Sequence, residues 1–237
     1  MQNAPIAVIT GASRGFGKAI AEIYAANGYN LVITGRQAMA LYTAMESLQT
    51  RFPDIVIKAK PADLGVKQEV LDLGEWITNT VPHIDILVNN AGSFVPGSVH
   101  NEPDGALEQM IATNLFSAYH LTRSLLPRMM EHGSGHIFNM CSIASLNAYP
   151  NGGAYGISKF ALLGFSKNLR EEMMPHGIKV TSVIPGAAFT DSWAGSGIDP
   201  KRIMTAKDIA QLVFAASQLS VQACVEEILV RPQMGDL

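Results

Sequence analysis

Apolar and polar positions alternate along the chain in a repeating two-part rhythm. The short β-branched runs "IAVIT" (6–10) and "NLVIT" (30–34) are bounded by Gly or Asn, as buried strands are. Between them, Phe16, Ala19, Ile20, Ile23 and Tyr24 recur at helical spacing, so residues 16–27 are predicted to form a helix. Gly28 is its natural stop, because a helix C-terminus favours a residue with left-handed backbone freedom. The same reading predicts helices over 38–51, 67–80, about 104–132, 153–174 and 206–219. It predicts strands over 55–59, 84–88, 136–140, 179–184 and 225–230. Seven strands separated by helices predict an α/β fold, a doubly wound parallel sheet covered by helices on both faces. The strands are apolar continuously, not alternately, which is the signature of burial on both sides. No repeat, low-complexity tract or linker divides the 237 residues, so residues 1–237 are expected to form one domain. Residues 187–203, rich in Gly and small polar side chains, are expected to form a mobile loop.

Composition narrows the function classes. The apolar fraction of 48% supports a large core, and the formal charge of −3 comes from acids and bases mixed along the chain. Without a basic run or an aromatic–basic stripe, nucleic acid is not an expected partner. Without a polybasic amphipathic helix or an apolar run near the ~18 residues that span a bilayer, neither is a membrane. The N-terminus enters a strand with no charged leader, and Cys141 and Cys224 are the only cysteines. These features lead to the expectation of a cytoplasmic, reducing-compartment protein. The six histidines are scattered, so no metal site is expected.

Strand 6–10 runs into "TGASRGFGKAIAEIY", which places Gly11, Gly15 and Gly17 between a strand and a helix. That context suits a nucleotide: glycines let the backbone approach a pyrophosphate, and the helix N-terminus offers unpaired N–H groups. The spacing is Gly-x-x-x-Gly-x-Gly, not the commoner Gly-x-Gly-x-x-Gly. The second strand ends "VITGR", with Gly35 where an NAD-selective site carries an acid for the ribose 2′-hydroxyl. Arg36 follows and Arg14 sits in the glycine loop, a pair suited to clamp a 2′-phosphate, so NADP(H) is the expected cofactor.

In "GGAYGISKFALLGFSK" (152–167), Tyr155 alone among the six tyrosines has a lysine, Lys159, four residues on. Both project from one helix face, just after a hinge-like Gly-Gly. A phenol is a poor acid/base catalyst at neutral pH, and a neighbouring ammonium stabilises its phenolate. Ser142, at the end of strand 136–140, can hold a substrate oxygen beside the phenol, since catalytic side chains gather at the strand ends of such sheets. Cys141 reads as a small buried residue.

"TGASRGFG" (10–17), "NNAG" (89–92), Ser142, "YGISK" (155–159) and "PGAAFT" (185–190), in this order and over essentially the whole chain, resemble the short-chain dehydrogenase/reductase family. The resemblance implies a single Rossmann-type domain and an NADP(H)-dependent oxidoreductase that interconverts a carbonyl and a secondary alcohol. It makes Tyr155 the general acid/base, Ser142 the residue that orients the oxygen, and Lys159 both the group that lowers the tyrosine pKa and a ligand of the nicotinamide ribose. Asn114 then holds a water in a relay to the lysine. Gly11, Ser13, Arg14, Gly15, Phe16, Gly17 and Arg36 line the cofactor, and Asp63 and Leu64 border its adenine. Asn90, Ala91 and Gly92 lie near the adenosine ribose, and Pro185, Gly186 and Thr190 near the carboxamide. Phe94, Tyr149, Phe189 and Trp193 are candidates for the substrate pocket, and a homodimer or homotetramer is expected.

The sequence departs from the family at Phe16, often Ile or Leu, and at its ending "VEEILVRPQMGDL", which lacks the Asp-Gly-Gly of many 3-oxoacyl-carrier-protein reductases. A 3-oxoacyl-carrier-protein reductase stays open as an alternative, as does a catalytically silent NADP-binding regulator. With only a short stretch after Pro185, an extended epimerase or dehydratase, which usually needs a longer C-terminal substrate domain, is not expected.

Overall fold

The structure, a computed structural model, describes residues 4–190 and 197–235. Its first half runs β1 (Ile6–Thr10), α1 (Gly15–Ala26), β2 (Asn30–Gly35), α2 (Ala38–Arg51), β3 (Ile57–Pro61), α3 (Lys67–Thr80) and β4 (Ile86–Asn89). After α4 (Ala106–Ile111) and α5 (Ser117–His132) come β5 (Gly135–Met140), α6 (Gly153–Met173) and β6 (Ile178–Pro185). The short β7 (Ala188–Phe189) and β8 (Met204–Thr205) precede α7 (Ala206–Ser217) and β9 (Glu227–Val230).

Seven strands form one parallel sheet in the order β3-β2-β1-β4-β5-β6-β9. Successive residues of a strand face opposite sides, so each strand feeds two cores. Ala7, Ile9, Leu31, Ile33, Val88 and Phe138 pack under α1, α2 and α7. Ile6, Val8, Val32, Leu87 and Ile137 pack under α3, α5 and α6. That two-sided burial is the physical reason for the continuous apolar runs. The chain lays down β1, β2 and β3 in one direction, then crosses back to β4 on the other side of β1. The connections leaving β1 and β4 therefore diverge, and a cleft opens at their C-terminal ends.

Two segments differ from the sequence expectation. The helical stretch about 104–132 is interrupted at Ala112–Phe116, where the backbone widens into a π turn. Periodicity does not register this, because one extra residue per turn only rotates the pattern. Within the stretch 187–203, β7 pairs in parallel with β8, so its start is tied down as a two-residue ribbon too short to show alternation. Among the described residues, no helix is long and apolar enough to cross a membrane.

Candidate active site

The glycine loop leaves β1 and turns into α1. Gly11 and Gly15 hold φ of +64° and +56°, backbone that side chains disfavour. At Gly17, a Cβ would fall 2.3 Å from the Gly11 carbonyl oxygen, so only glycine lets the helix approach the loop this closely. The first turn of α1 has no acidic residue and no side-chain cap. Its N–H groups are left for an anion from outside the protein. Phe16 is partly buried and packs on the core.

Beside the loop lies a groove of about 710 Å³ whose lining includes Ser13, Lys18, Gln37, Met39 and Thr43, with no carboxylate. Arg14, the N-cap of α1, and Arg36, the residue after β2, are both exposed at this end of the sheet. Gly35 faces the Ser13 side chain, since a Cβ on it would stand 3.3 Å from Ser13 Oγ. Cations and hydroxyls without a nearby acid fit a phosphorylated ribose and disfavour a bare one.

Other expected cofactor residues brace the cleft from within. Asn90 Nδ2 donates to the carbonyls of Thr10 (2.8 Å) and Gly11 (3.2 Å), while the Thr10 hydroxyl accepts from the backbone N–H of Asn90 and Ala91. The Asn90 amide therefore ties β4 to the glycine loop. Asp63 closes its own turn, with Oδ1 accepting from Gly65 N at 2.9 Å, and Leu64 is buried beneath it. Gly186 follows Pro185 at the end of β6 and donates to Val230. Thr190 reaches across to the glycine loop, lying 3.6 Å from a Cβ placed on Gly15.

Ser142, Tyr155, Lys159 and Asn114 converge at the end of β5. Ser142 caps a short 3-10 turn, Ile143–Ser145, and its own backbone N–H donates to Ser145 Oγ at 3.1 Å. That reciprocal cap fixes the serine at the strand exit. Lys159 is buried (5% exposed) and donates from Nζ to the Met140 carbonyl at 2.7 Å. Its Nζ stands 5.8 Å from the centre of the Tyr155 ring. Asn114, on the π turn, faces inward: Oδ1 accepts from Ser93 N (2.7 Å), and Nδ2 donates to Ser93 O (3.0 Å) and Ser158 Oγ (2.8 Å). A Cβ on Gly92 would lie 3.1 Å from Asn114 Oδ1 and 3.7 Å from Lys159 Nζ, so this glycine keeps the space between them open.

Burial and the Ser142 hydroxyl act on the phenol in opposite directions. Burial pushes the Tyr155 phenol above its ordinary pKa of 10.0, and hydrogen bonding with the Ser142 side chain only partly offsets this. Loss of water is the larger effect, so the phenol is protonated at neutral pH, while the Lys159 ammonium donates to the Met140 carbonyl. Burial also lowers Lys159 to about 8 and raises the Cys141 thiol to about 11. Cys141 is buried and unpaired, as its sequence context suggests.

Two of the expected pocket aromatics meet Tyr155. The Phe94 ring stands edge-on to it at 4.9 Å, and Tyr149 is close enough that Tyr155 adds to the burial that pushes its own pKa up to about 12. Phe189 is partly exposed on β7, and Trp193 lies outside the described residues. The Gly-Gly before Tyr155 is a packing requirement, not a hinge. A Cβ on Gly152 would meet the Tyr149 carbonyl oxygen at 2.9 Å, and one on Gly153 would meet Glu102 Oε2 and the Gly97 carbonyl oxygen, both at 2.5 Å. Sequence reasoning missed Ser93, Ser158 and Glu102 because loop and helix polar residues carry no pattern; the adjacent glycines were the available signal. Among the described residues, no group of three or more His, Cys, Asp or Glu side chains converges on a metal position.

Comparison with known proteins agrees with this geometry. The short chain dehydrogenase family profile matches residues 5–200. The chain is 32% identical over 227 residues to an uncharacterized oxidoreductase of Staphylococcus saprophyticus, which covers 96% of this chain and 97% of the relative. Among solved structures, a metagenomic short-chain oxidoreductase in complex with NADP superposes with a TM-score of 0.83 at 30% identity, covering 98% of this chain and 99% of that one. L-sorbose reductase from Gluconobacter frateurii, complexed with NADPH and L-sorbose, gives a TM-score of 0.88 at 28% identity, covering 96% and 95%. Sheet order, glycine loop and full-length similarity agree, and the chain belongs to the short-chain dehydrogenase family.

Proposed function

We propose that the protein is an NADP(H)-dependent oxidoreductase that interconverts a carbonyl and a secondary alcohol. The observation that carries this reading is the Tyr155 phenol, paired with Ser142 and underlain by buried Lys159 at the strand ends of the cleft. Ser142 donates to the substrate oxygen and holds it beside the phenol. Tyr155, protonated at neutral pH, gives its proton to that oxygen as the carbonyl is reduced. Lys159 stabilises the negative charge that grows on the phenol oxygen as the proton leaves, an effect enlarged by burial. Asn114 and the space kept by Gly92 suit a water that returns a proton toward Lys159. When bound, the nicotinamide supplies the hydride that joins the carbonyl carbon.

Gly11, Gly15, Gly17 and Ser13 would cradle the dinucleotide, with Asp63, Leu64, Asn90, Ala91, Gly92, Pro185, Gly186 and Thr190 around it and Arg14 and Arg36 on the 2′-phosphate. Solved relatives complexed with NADP and NADPH support that choice. Phe94 and Tyr149, partly exposed around the phenol, suit a small carbonyl substrate with an apolar side. A homo-oligomer is supported by the exposed apolar side chains Phe116, Tyr119, Ile157 and Phe160 on α5, α6 and the turn between α4 and α5.

The test is a panel of ketones, ketoses and acetoacetyl thioesters, followed by NADPH absorbance with purified protein. Oxidation of NADPH by at least one member is expected. Preference for the thioesters would turn the reading to a 3-oxoacyl reductase. Binding of NADPH without any turnover would turn it to a silent regulator.

A further inference from the structure

α6 begins without a cap of its own: Gly152 occupies the cap position and offers no side chain. The missing acceptor comes from far along the chain. Glu102, in the loop after β4, accepts from the Ala154 backbone N–H through Oε2 at 3.0 Å. A carboxylate is well placed there, since a helix N-terminus carries unpaired N–H groups and partial positive charge. Ala154 directly precedes Tyr155, so this bond anchors the first helical turn that carries the phenol.

The attachment is wider than one bond. Gly97 N donates to Asn151 O at 3.2 Å, and Ser98 Oγ donates to Asn151 Oδ1 at 3.0 Å. Asn151 holds a φ of 61°, unlike any other non-glycine residue described. A left-handed residue persists only where its surroundings impose it. Ala106 and Met110 of α4 pack on Ala154 and Tyr155, and Phe94 stands against the Tyr155 ring. At Gly153 a Cβ would lie 2.5 Å from Glu102 Oε2, so the carboxylate enters through a space only glycine leaves. Loop 93–105 and the catalytic turn are thus clasped together.

We infer that Glu102 is a positioning residue for Tyr155: its carboxylate anchors the first turn of α6 and thereby aims the phenol at the substrate oxygen. The inference rests on Tyr155 being the proton donor. Displacement of a reacting group by about 1 Å costs on the order of 100-fold in rate. Glu102→Ala should therefore lower kcat by about 10- to 100-fold, with KM for NADPH within about twofold of wild type. Glu102→Gln retains an acceptor oxygen and should recover most of that loss, which a need for negative charge alone would not produce.

A second readout does not depend on turnover. Amide hydrogen exchange of the free proteins should be faster in Glu102→Ala over residues 151–158, with the strands of the sheet protected as in wild type. Wild-type kcat in Glu102→Ala would overturn the inference. So would unchanged exchange over 151–158, or exchange protection and NADPH affinity lost together across the chain. If no carbonyl is reduced by the wild type, the proposed function fails, while the exchange measurement still decides whether Glu102 anchors the turn.

Discussion

Lys159 exposes the conflict between stability and function in this fold most clearly. Its amine is buried, hydrogen-bonded to the Met140 carbonyl, and has no carboxylate partner among the described residues. Burial lowers its pKa from 10.5 to about 8. Below pH 8 the lysine is charged in both folded and unfolded chains, so the full cost of burying the charge is present. As pH rises from about 8 to 10.5 the folded form loses its proton first, and the cost is progressively relieved. At about 1.4 kcal/mol per pKa unit, the cost near pH 7 is about 3 kcal/mol. Lys159→Met keeps the length of the side chain, removes the charge and sacrifices the bond to Met140, a net loss of about 1 kcal/mol. The variant should therefore be about 2 kcal/mol more stable at pH 7, which for a chain of this size raises Tm by about 4–8 °C. Thermal unfolding followed by circular dichroism, without cofactor, measures this at pH 7 and again near pH 10, where the difference should shrink. Carbonyl reduction should be lost in the same variant. A Lys159→Met protein no more stable than wild type at pH 7, or a gap that widens with pH, would refute the reasoning.

Two further outcomes follow from the site. Because Tyr155 is held protonated at neutral pH, alcohol oxidation should accelerate with pH through the neutral range while carbonyl reduction stays level; pH–rate profiles in both directions check this. For cofactor choice, each charge-assisted contact with the 2′-phosphate should favour NADPH by about 1.5–3 kcal/mol, roughly ten- to a hundredfold. Gly35→Asp with Arg36→Ala should erase much of that preference, since the aspartate Cβ needs only a small shift of the Ser13 hydroxyl, at 3.3 Å, to fit. The ratio of kcat/KM for NADPH over NADH measures it, and a wild-type ratio below one would contradict the phosphate site.

The sheet was legible in the sequence because burial on both faces leaves long β-branched runs, and six of the helices because one stripe must meet that sheet. Strand ends shifted by a residue or two, as at β3, where Ile55 is buried but outside the ladder. Tyr155, Lys159, Ser142 and Asn114 were legible as a set, since their order and spacing are imposed by one strand end and one helix face. Their electrostatic balance was not: sequence shows the ammonium near the phenol but not the loss of water that raises the phenol pKa. Nor was the clasp legible, because Glu102 and Ala154 are 52 residues apart and only folding brings a carboxylate to an uncapped helix. The two glycines before Tyr155 suggested flexibility, whereas the close approach of Tyr149, Gly97 and Glu102 makes them fixed points.

The central claim is that Tyr155 supplies the proton for carbonyl reduction. Tyr155→Phe keeps the ring and its edge-on contact with Phe94 and removes one oxygen atom. Single-turnover reduction by NADPH-loaded protein, with the best carbonyl of the panel, tests it most directly. The account predicts wild-type NADPH affinity and a rate lower by about 100- to 10,000-fold; a Tyr155→Phe protein that reduces the carbonyl at the wild-type rate would contradict it.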